Sequence, residues 1–187
     1  LKTSLRNIER LQEIIENILN YSRIESGKYQ IFNTRIKVED VMEEALLRLE
    51  NLSGKEVILN KKYTKKGAFI MMDKEALKQI FVNIISNSLK FSKLDLVTID
   101  IKIEEEERKY RVTLKDNGLG MDKNKIEFLI KSFRQLDEGD TRKYSGVGLG
   151  LTVAEKILNY YGEKIYINSS LNKGTEVYFY LRKGEDN

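Results

Sequence analysis

Apolar residues recur at helical spacing from the first position of the chain. Leu1, Ile8, Ile15 and Ser22 repeat every seven, as do Ser4, Leu11 and Ile18, and Leu5, Gln12 and Leu19. Over residues 1–26 they make a stripe broad enough for a helical bundle and too broad for a two-stranded seam. Ser26-Gly27 ends it, Gly27 supplying a left-handed C-terminal cap. The stripe of such a helix stays wet unless another helix covers it. The period then changes. Residues 28–38 alternate, with Tyr29 and Ile31 apolar and Gln30 and Asn33 polar, and suit a strand. Val41, Ala45, Leu46, Leu49 and Leu52 return to helical spacing, and strands are predicted around 57–63 and 68–72. Asp73 opens a strongly periodic helix through Phe91, with Leu77, Ile80, Phe81, Ile84, Ile85 and Leu89 inward. An antiparallel pair follows at 96–103 and 110–115 around a glutamate-rich solvated turn. The remainder reads as a helix to Phe133, a polar stretch over 134–145, a Gly-rich turn, a helix over 151–161, and strands near 164–168 and 176–181. Helices and strands mixed without regular βαβ alternation predict an α+β fold, helices on one face of a sheet, preceded by one long helix.

Composition narrows the chemistry. The 187 residues include no His, Cys, Pro or Trp. Zinc fingers, His-ligated metals, thiol nucleophiles, disulfides and Ser-His-Asp triads are therefore excluded within these residues. Catalysis falls to carboxylates, amides, amines, hydroxyls, the backbone or a hard cation held by oxygens. The 33 Lys and Arg against 29 Asp and Glu leave a net charge of +4. Because the cations interleave with Glu along the whole length, they read as a solvated surface and no nucleic-acid partner is expected. No apolar run approaches the ~18 residues that span a bilayer. The first residue is Leu1, so the chain is expected to be a piece of a longer one.

Three segments carry candidate chemistry. Ser145-Gly146-Val147-Gly148-Leu149-Gly150-Leu151 sets three glycines before a helix. Backbone N–H groups and a helix N-terminus can approach an anion there, or the segment is simply a tight loop. Leu151 breaks the dinucleotide fingerprint, and no P-loop is present. Asp116-Asn117-Gly118-Leu119-Gly120-Met121 follows a strand, so its carboxylate could accept from a buried amine while the glycines turn the backbone closely around a ligand; the alternative is an Asx turn. A calcium loop fails, because its sixth position is Met121. Asn83, Asn87 and Lys90 share one helix face. That face is either a solvated outer surface or a set of amide oxygens and an ammonium suited to Mg²⁺ and phosphate.

Taken together and in this order, the segments resemble the ATP-binding domain of sensor histidine kinases, within the gyrase, chaperone, histidine kinase and mismatch-repair (GHKL) superfamily. QIFVNIISNSLKFS resembles the N box, DNGLGM the first glycine box, FRQLD the F box and SGVGLGL the second glycine box. GTEVYFYL is similar to that domain's last strand, and ENILNYSRIESGK to the second helix of the kinase dimerisation hairpin. The resemblance implies a two-layer α/β sandwich over residues 28–183, with 1–27 the remnant of the hairpin and 184–187 a tail. It implies that Asp116 accepts the adenine amine, Gly118 and Gly120 shape the base pocket, and Thr175 lines the adenine end. It implies that Asn87 ligates Mg²⁺ with Asn83 nearby and Lys90 reaching phosphate. Residues 134–145 would be a lid hinged at Phe133, closing through Gly146, Gly148 and Gly150, with Arg142 and Lys143 toward the γ-phosphate.

The implied function is transfer of the γ-phosphoryl group of ATP to a histidine outside the chain, so no self-phosphorylation is expected. The implied partners are ATP, the histidine-bearing dimerisation helix of the parent protein, a response-regulator receiver domain, and a second copy in a full-length homodimer. The implied setting is the cytoplasmic side of a sensor. Two rivals are a nucleotide-dependent scaffold without catalysis and another member of the superfamily, a serine kinase or an ATPase. The ATPases usually carry Glu where Asn83 stands, and Asn cannot activate water.

Overall fold

A computed structural model describes residues 15, 19, 23, 31–53, 56–92, 96–122, 126 and 149–184. Of the N-terminal helix expected over 1–26, the described residues Ile15, Leu19 and Arg23 are helical, and the rest lies outside the described residues. Ile15 and Leu19 are about half exposed.

The described elements run β1 (Thr34–Lys37), α1 (Val38–Ser53), β2 (Glu56–Lys62), β3 (Phe69–Met72), α2 (Lys74–Lys90), β4 (Leu96–Glu105), β5 (Lys109–Asp116), α3 (Leu149–Tyr160), β6 (Ile165–Ser169) and β7 (Thr175–Arg182). Five strands form one sheet in the order β2-β4-β5-β7-β6, and β1 pairs with β3 in a two-stranded sheet. All pairs are antiparallel except β2 with β4.

Period-two burial shows which face of the sheet is covered. Val97, Ile99, Ile101 and Ile103 of β4, Val112 and Leu114 of β5, and Val177, Phe179 and Leu181 of β7 are all buried. They meet the inward stripes of the helices, Val41, Met42 and Ala45 from α1, Leu77, Phe81 and Ile84 from α2, and Val153 and Ile157 from α3, in one apolar cluster. Helix α2 packs against both α1 and α3 and against β4 and β5, so it occupies the middle of the helical layer. The opposite face of the sheet is polar and aromatic, with Tyr166 stacked on Tyr178 at 4.9 Å and Arg111 lying 4.2 Å over the Tyr178 ring.

Of the alternation read over 28–38, the described residues 31–38 give a strand at Thr34–Lys37, in β1, while 28–30 lie outside the described residues. Val38 already belongs to α1, because Val38, Val41 and Met42 share a helical stripe that is fully buried. Buried Glu39 fixes that start by accepting the Ala68 N–H at 2.9 Å and the Thr64 hydroxyl at 3.1 Å. Asp73 caps α2 as its sequence position suggests: Oδ1 accepts the Ala76 N–H and Oδ2 the Phe32 N–H, both at 2.9 Å. Among the described residues no helix is long and apolar enough to cross a membrane.

Candidate functional site

Strand β5 delivers Asp116 to the end of the sheet beside α2. Three donors converge on its carboxylate. Oδ1 accepts the backbone N–H of Gly118 at 2.8 Å and of Thr175 at 3.0 Å, while Oδ2 accepts the Ser88 hydroxyl at 2.9 Å. A carboxylate offers about four lone-pair positions, so a further donor can still be accepted on Oδ2. The Gly118 contact is an Asx-type turn, and this local turn orients the carboxylate.

The wall behind Asp116 is two interlocked turns. Leu119 donates to the Phe91 carbonyl at 3.1 Å and accepts from Asn172 at 2.6 Å, and Met121 donates to the Ser169 hydroxyl at 2.8 Å. Ser169 Oγ in turn donates to the Gly174 carbonyl at 2.9 Å and lies 3.0 Å from Thr175 Oγ1, a contact in which either hydroxyl can donate. Gly120 and Gly174 have φ of 64° and 80°, and a Cβ on either would strike backbone, the Ser170 carbonyl in one case and the Asp116 carbonyl in the other. Both glycines are required by contact as well as by conformation.

On the other side of the site α2 faces α3. Asn83 is 1% exposed. Its Oδ1 accepts from Gln79 at 3.1 Å, and its Nδ2 is buried with no partner among the described residues. Gly150, in the first turn of α3, sits against this amide: a Cβ there would lie 3.3 Å from Asn83 Oδ1. Thr152 Oγ1, two residues on, is likewise buried and without a partner among the described residues. Leaving a buried donor unsatisfied costs about 1–3 kcal/mol, so such a group beside a helix N-terminus suits an anion. Asn87 lies one turn further along α2 and is half-buried, and Lys90 is exposed. The solvated outer face considered for these three residues therefore holds only toward Lys90, because α3 covers α2 at Asn83.

The described residues thus bring Asp116, Gly118, Gly120 and Thr175 to one corner and Asn83 and Gly150 to another, with α2 touching both. Phe133, Arg142, Lys143, Gly146 and Gly148 lie outside the described residues, as does the expected lid. Two participants were not singled out from sequence. Ser88 was signalled by a hydroxyl at the i+4 position from Ile84 on the inward, otherwise apolar phase of α2. Gly174 was signalled by Asn172 and Gly174 flanking Lys173 before a strand.

A sequence model of the family described as "Histidine kinase-, DNA gyrase B-, and HSP90-like ATPase" matches residues 72–185, from the end of β3 through β7. The chain belongs to this family. As a histidine kinase-, gyrase B- and HSP90-like ATPase domain it is an ATP-binding unit, and both corners of the site fall inside the matched residues.

Among curated proteins it is similar to the sensor histidine kinase WalK of Bacillus subtilis (strain 168), at 29% identity over 187 residues, covering 100% of this chain and 31% of the relative. The sensor protein kinase WalK of Staphylococcus aureus is 27% identical over 182 residues, covering 97% of this chain and 44% of the relative. The chain therefore spans less than half the length of these relatives. Among solved structures, full-length ShkA in complex with AMPPNP superposes with a TM-score of 0.80 at 17% identity, covering 98% of this chain and 39% of that one. The Acinetobacter baumannii histidine kinase AdeS gives 0.74 at 17% identity, covering 98% and 84%. The ATPase-family fold, an α+β two-layer sandwich, is thus shared with histidine kinases of low sequence identity.

Proposed function

We propose that this chain is the ATP-binding catalytic part of a two-component sensor histidine kinase, which transfers the γ-phosphoryl group of ATP to a histidine outside these residues. The observation that carries the reading is the placement of two unlike recognition groups along one helix. Ser88 holds Asp116 at one point of α2, and Asn83 presents an unsatisfied amide to the start of α3 at another. Five residues of helix separate the two points by about 7.5 Å, which suits a base edge at one end and phosphates at the other.

In this reading Asp116 accepts the exocyclic amine of adenine, and Gly118, Gly120 and Thr175 form the walls of the base pocket. Asn83 donates toward the phosphates, and the N-terminal turn of α3 at Gly150 offers them its backbone N–H groups. Asn87 would hold Mg²⁺ through its amide oxygen, with Asn83 nearby and Lys90 reaching a phosphate. When bound, the ion supplies charge neutralisation at the phosphate oxygens. Phe133, Gly146 and Gly148 would hinge a lid over 134–145, and Arg142 and Lys143 would approach the γ-phosphate. Phosphoryl transfer depends mostly on positioning and electrostatics, so an attacking group supplied from elsewhere is consistent with a domain that contains no histidine.

The same reading assigns residues 1–27 to the second helix of a dimerisation hairpin, 28–183 to the ATP-binding domain and 184–187 to a tail. Its partners would be the histidine-bearing helix of the parent protein, a second copy, and the receiver domain of a response regulator. The test has two steps. Saturating Mg²⁺–ATP should raise the melting temperature, and Asp116→Asn should remove that rise. The chain should then label a supplied histidine-bearing helical hairpin from γ-labelled ATP and should not label itself. An unchanged melting temperature would sink the nucleotide reading. Binding without transfer to the hairpin would favour a nucleotide-dependent scaffold.

A further inference from the structure

We propose that Ser88 is the positioning residue that sets base selectivity, by locking Asp116 so that it accepts an exocyclic amine and rejects a carbonyl. The inference rests on the nucleotide reading above and deepens it. Ser88 is 6% exposed and lies on the inward phase of α2. Its single proton has two acceptors in reach, the Ile84 carbonyl at 3.4 Å and Asp116 Oδ2 at 2.9 Å. The shorter contact, to a carboxylate, takes it.

The consequence follows from counting acceptor positions. Oδ1 already receives the N–H groups of Gly118 and Thr175, so a ligand donor must come to Oδ2. Ser88 occupies one position on Oδ2 and fixes the plane of the carboxylate, and the position that remains accepts one donor in one direction. An amine at carbon 6 of a purine satisfies it. A carbonyl at carbon 6 brings oxygen against oxygen, with the Ser88 proton already committed. With alanine at position 88, Oδ2 loses its protein partner. Water can then enter, donate to Oδ2 and to a base carbonyl alike, and bridge the pair that was rejected.

The readout is therefore a ratio. Inosine triphosphate carries the carbonyl in place of the amine of ATP and keeps the ribose and triphosphate, so its Kd divided by that of ATP isolates the base edge. In the unaltered chain the ratio should favour ATP, and Ser88→Ala should lower it by about tenfold. Ser88→Cys, nearly isosteric and a weak donor, should lower it less, and it carries the test if the alanine variant fails to fold. A purely structural role for Ser88 would weaken both nucleotides alike. An unchanged ratio in a folded variant overturns the inference. Asp116→Asn, measured in parallel, separates the two levels: if it leaves ATP binding intact the nucleotide reading itself falls, and if it removes binding while the Ser88 ratio stays fixed only this inference falls.

Discussion

Alanine at position 174 probes the junction on which the base-binding corner depends. Gly174 has φ of 80°, and a Cβ on it would run into the Asp116 carbonyl. Two effects add. An L-residue held in the left-handed region costs about 1–2 kcal/mol. The end of β5 and the start of β7 must also part, which breaks the Thr175 N–H bond to Asp116 Oδ1, now 3.0 Å. A hydrogen bond to a charged group contributes about 1.5–3 kcal/mol. Gly174→Ala should therefore destabilise the domain by about 2.5–5 kcal/mol, a large part of the ~5–15 kcal/mol that holds a typical domain. At about 2–4 °C per kcal/mol, the melting temperature should fall by roughly 10 °C. Gly162→Ala is the control. Gly162 has φ of 72°, yet among the described residues a Cβ there would meet only the Arg182 guanidinium, at an ordinary 3.6 Å. It should show the conformational cost alone, about 1–2 kcal/mol. Urea unfolding of both variants at unchanged m-value measures the difference. Equal losses in the two would refute the claim that contact with Asp116 makes Gly174 indispensable.

Two further outcomes follow from the same structure. Asn83→Asp replaces a buried, unpartnered donor with a group that only accepts, so it should weaken ATP binding by about tenfold or more while leaving adenosine within about twofold. Calorimetric titration of both ligands decides it, and equal loss for the two would remove Asn83 from the phosphate end. Burial, and then the hydrogen bond to Glu43 at 2.8 Å, push the Tyr63 hydroxyl well above its ordinary 10.0. The folded state then keeps a proton that the unfolded chain loses. The stability this contributes is present in full below pH ~10 and declines as pH rises beyond it. Tyr63→Phe should flatten that alkaline decline relative to the unaltered chain, read as urea midpoints at about pH 9 and about pH 11. Parallel slopes would show that Tyr63 carries no such linkage.

Much of the fold was legible because local pattern and tertiary role agree. The inward phase of α2 could be read from Leu77, Ile80, Phe81, Ile84 and Ile85, all buried, and its start from Asp73, whose carboxylate caps the helix. The β4–β5 hairpin could be read from two alternating runs around a charged turn. The candidate-site segments could be picked out only by their joint order, since each alone also reads as a tight loop, an Asx turn or a solvated helix face. The β1 region misled because residues 28–38 alternate while Val38 is committed to the buried stripe of α1, and the neighbouring stripe overrides the alternation.

By itself, then, the order of residues determined most of the described elements, the α+β class, the candidate carboxylate and amides, and the exclusion of histidine and thiol chemistry within these residues. Tertiary structure alone decided the sheet order β2-β4-β5-β7-β6, with its parallel β2–β4 pair, since strands distant in sequence are joined only by the need of their apolar faces to share one core. It decided that Asn83 is buried, because α3 lies across it, and that Ser88 reaches Asp116, because β5 ends beside α2. A side chain's chemistry is written in its own type. Whether that chemistry meets water, core or another functional group depends on what the rest of the chain packs against it.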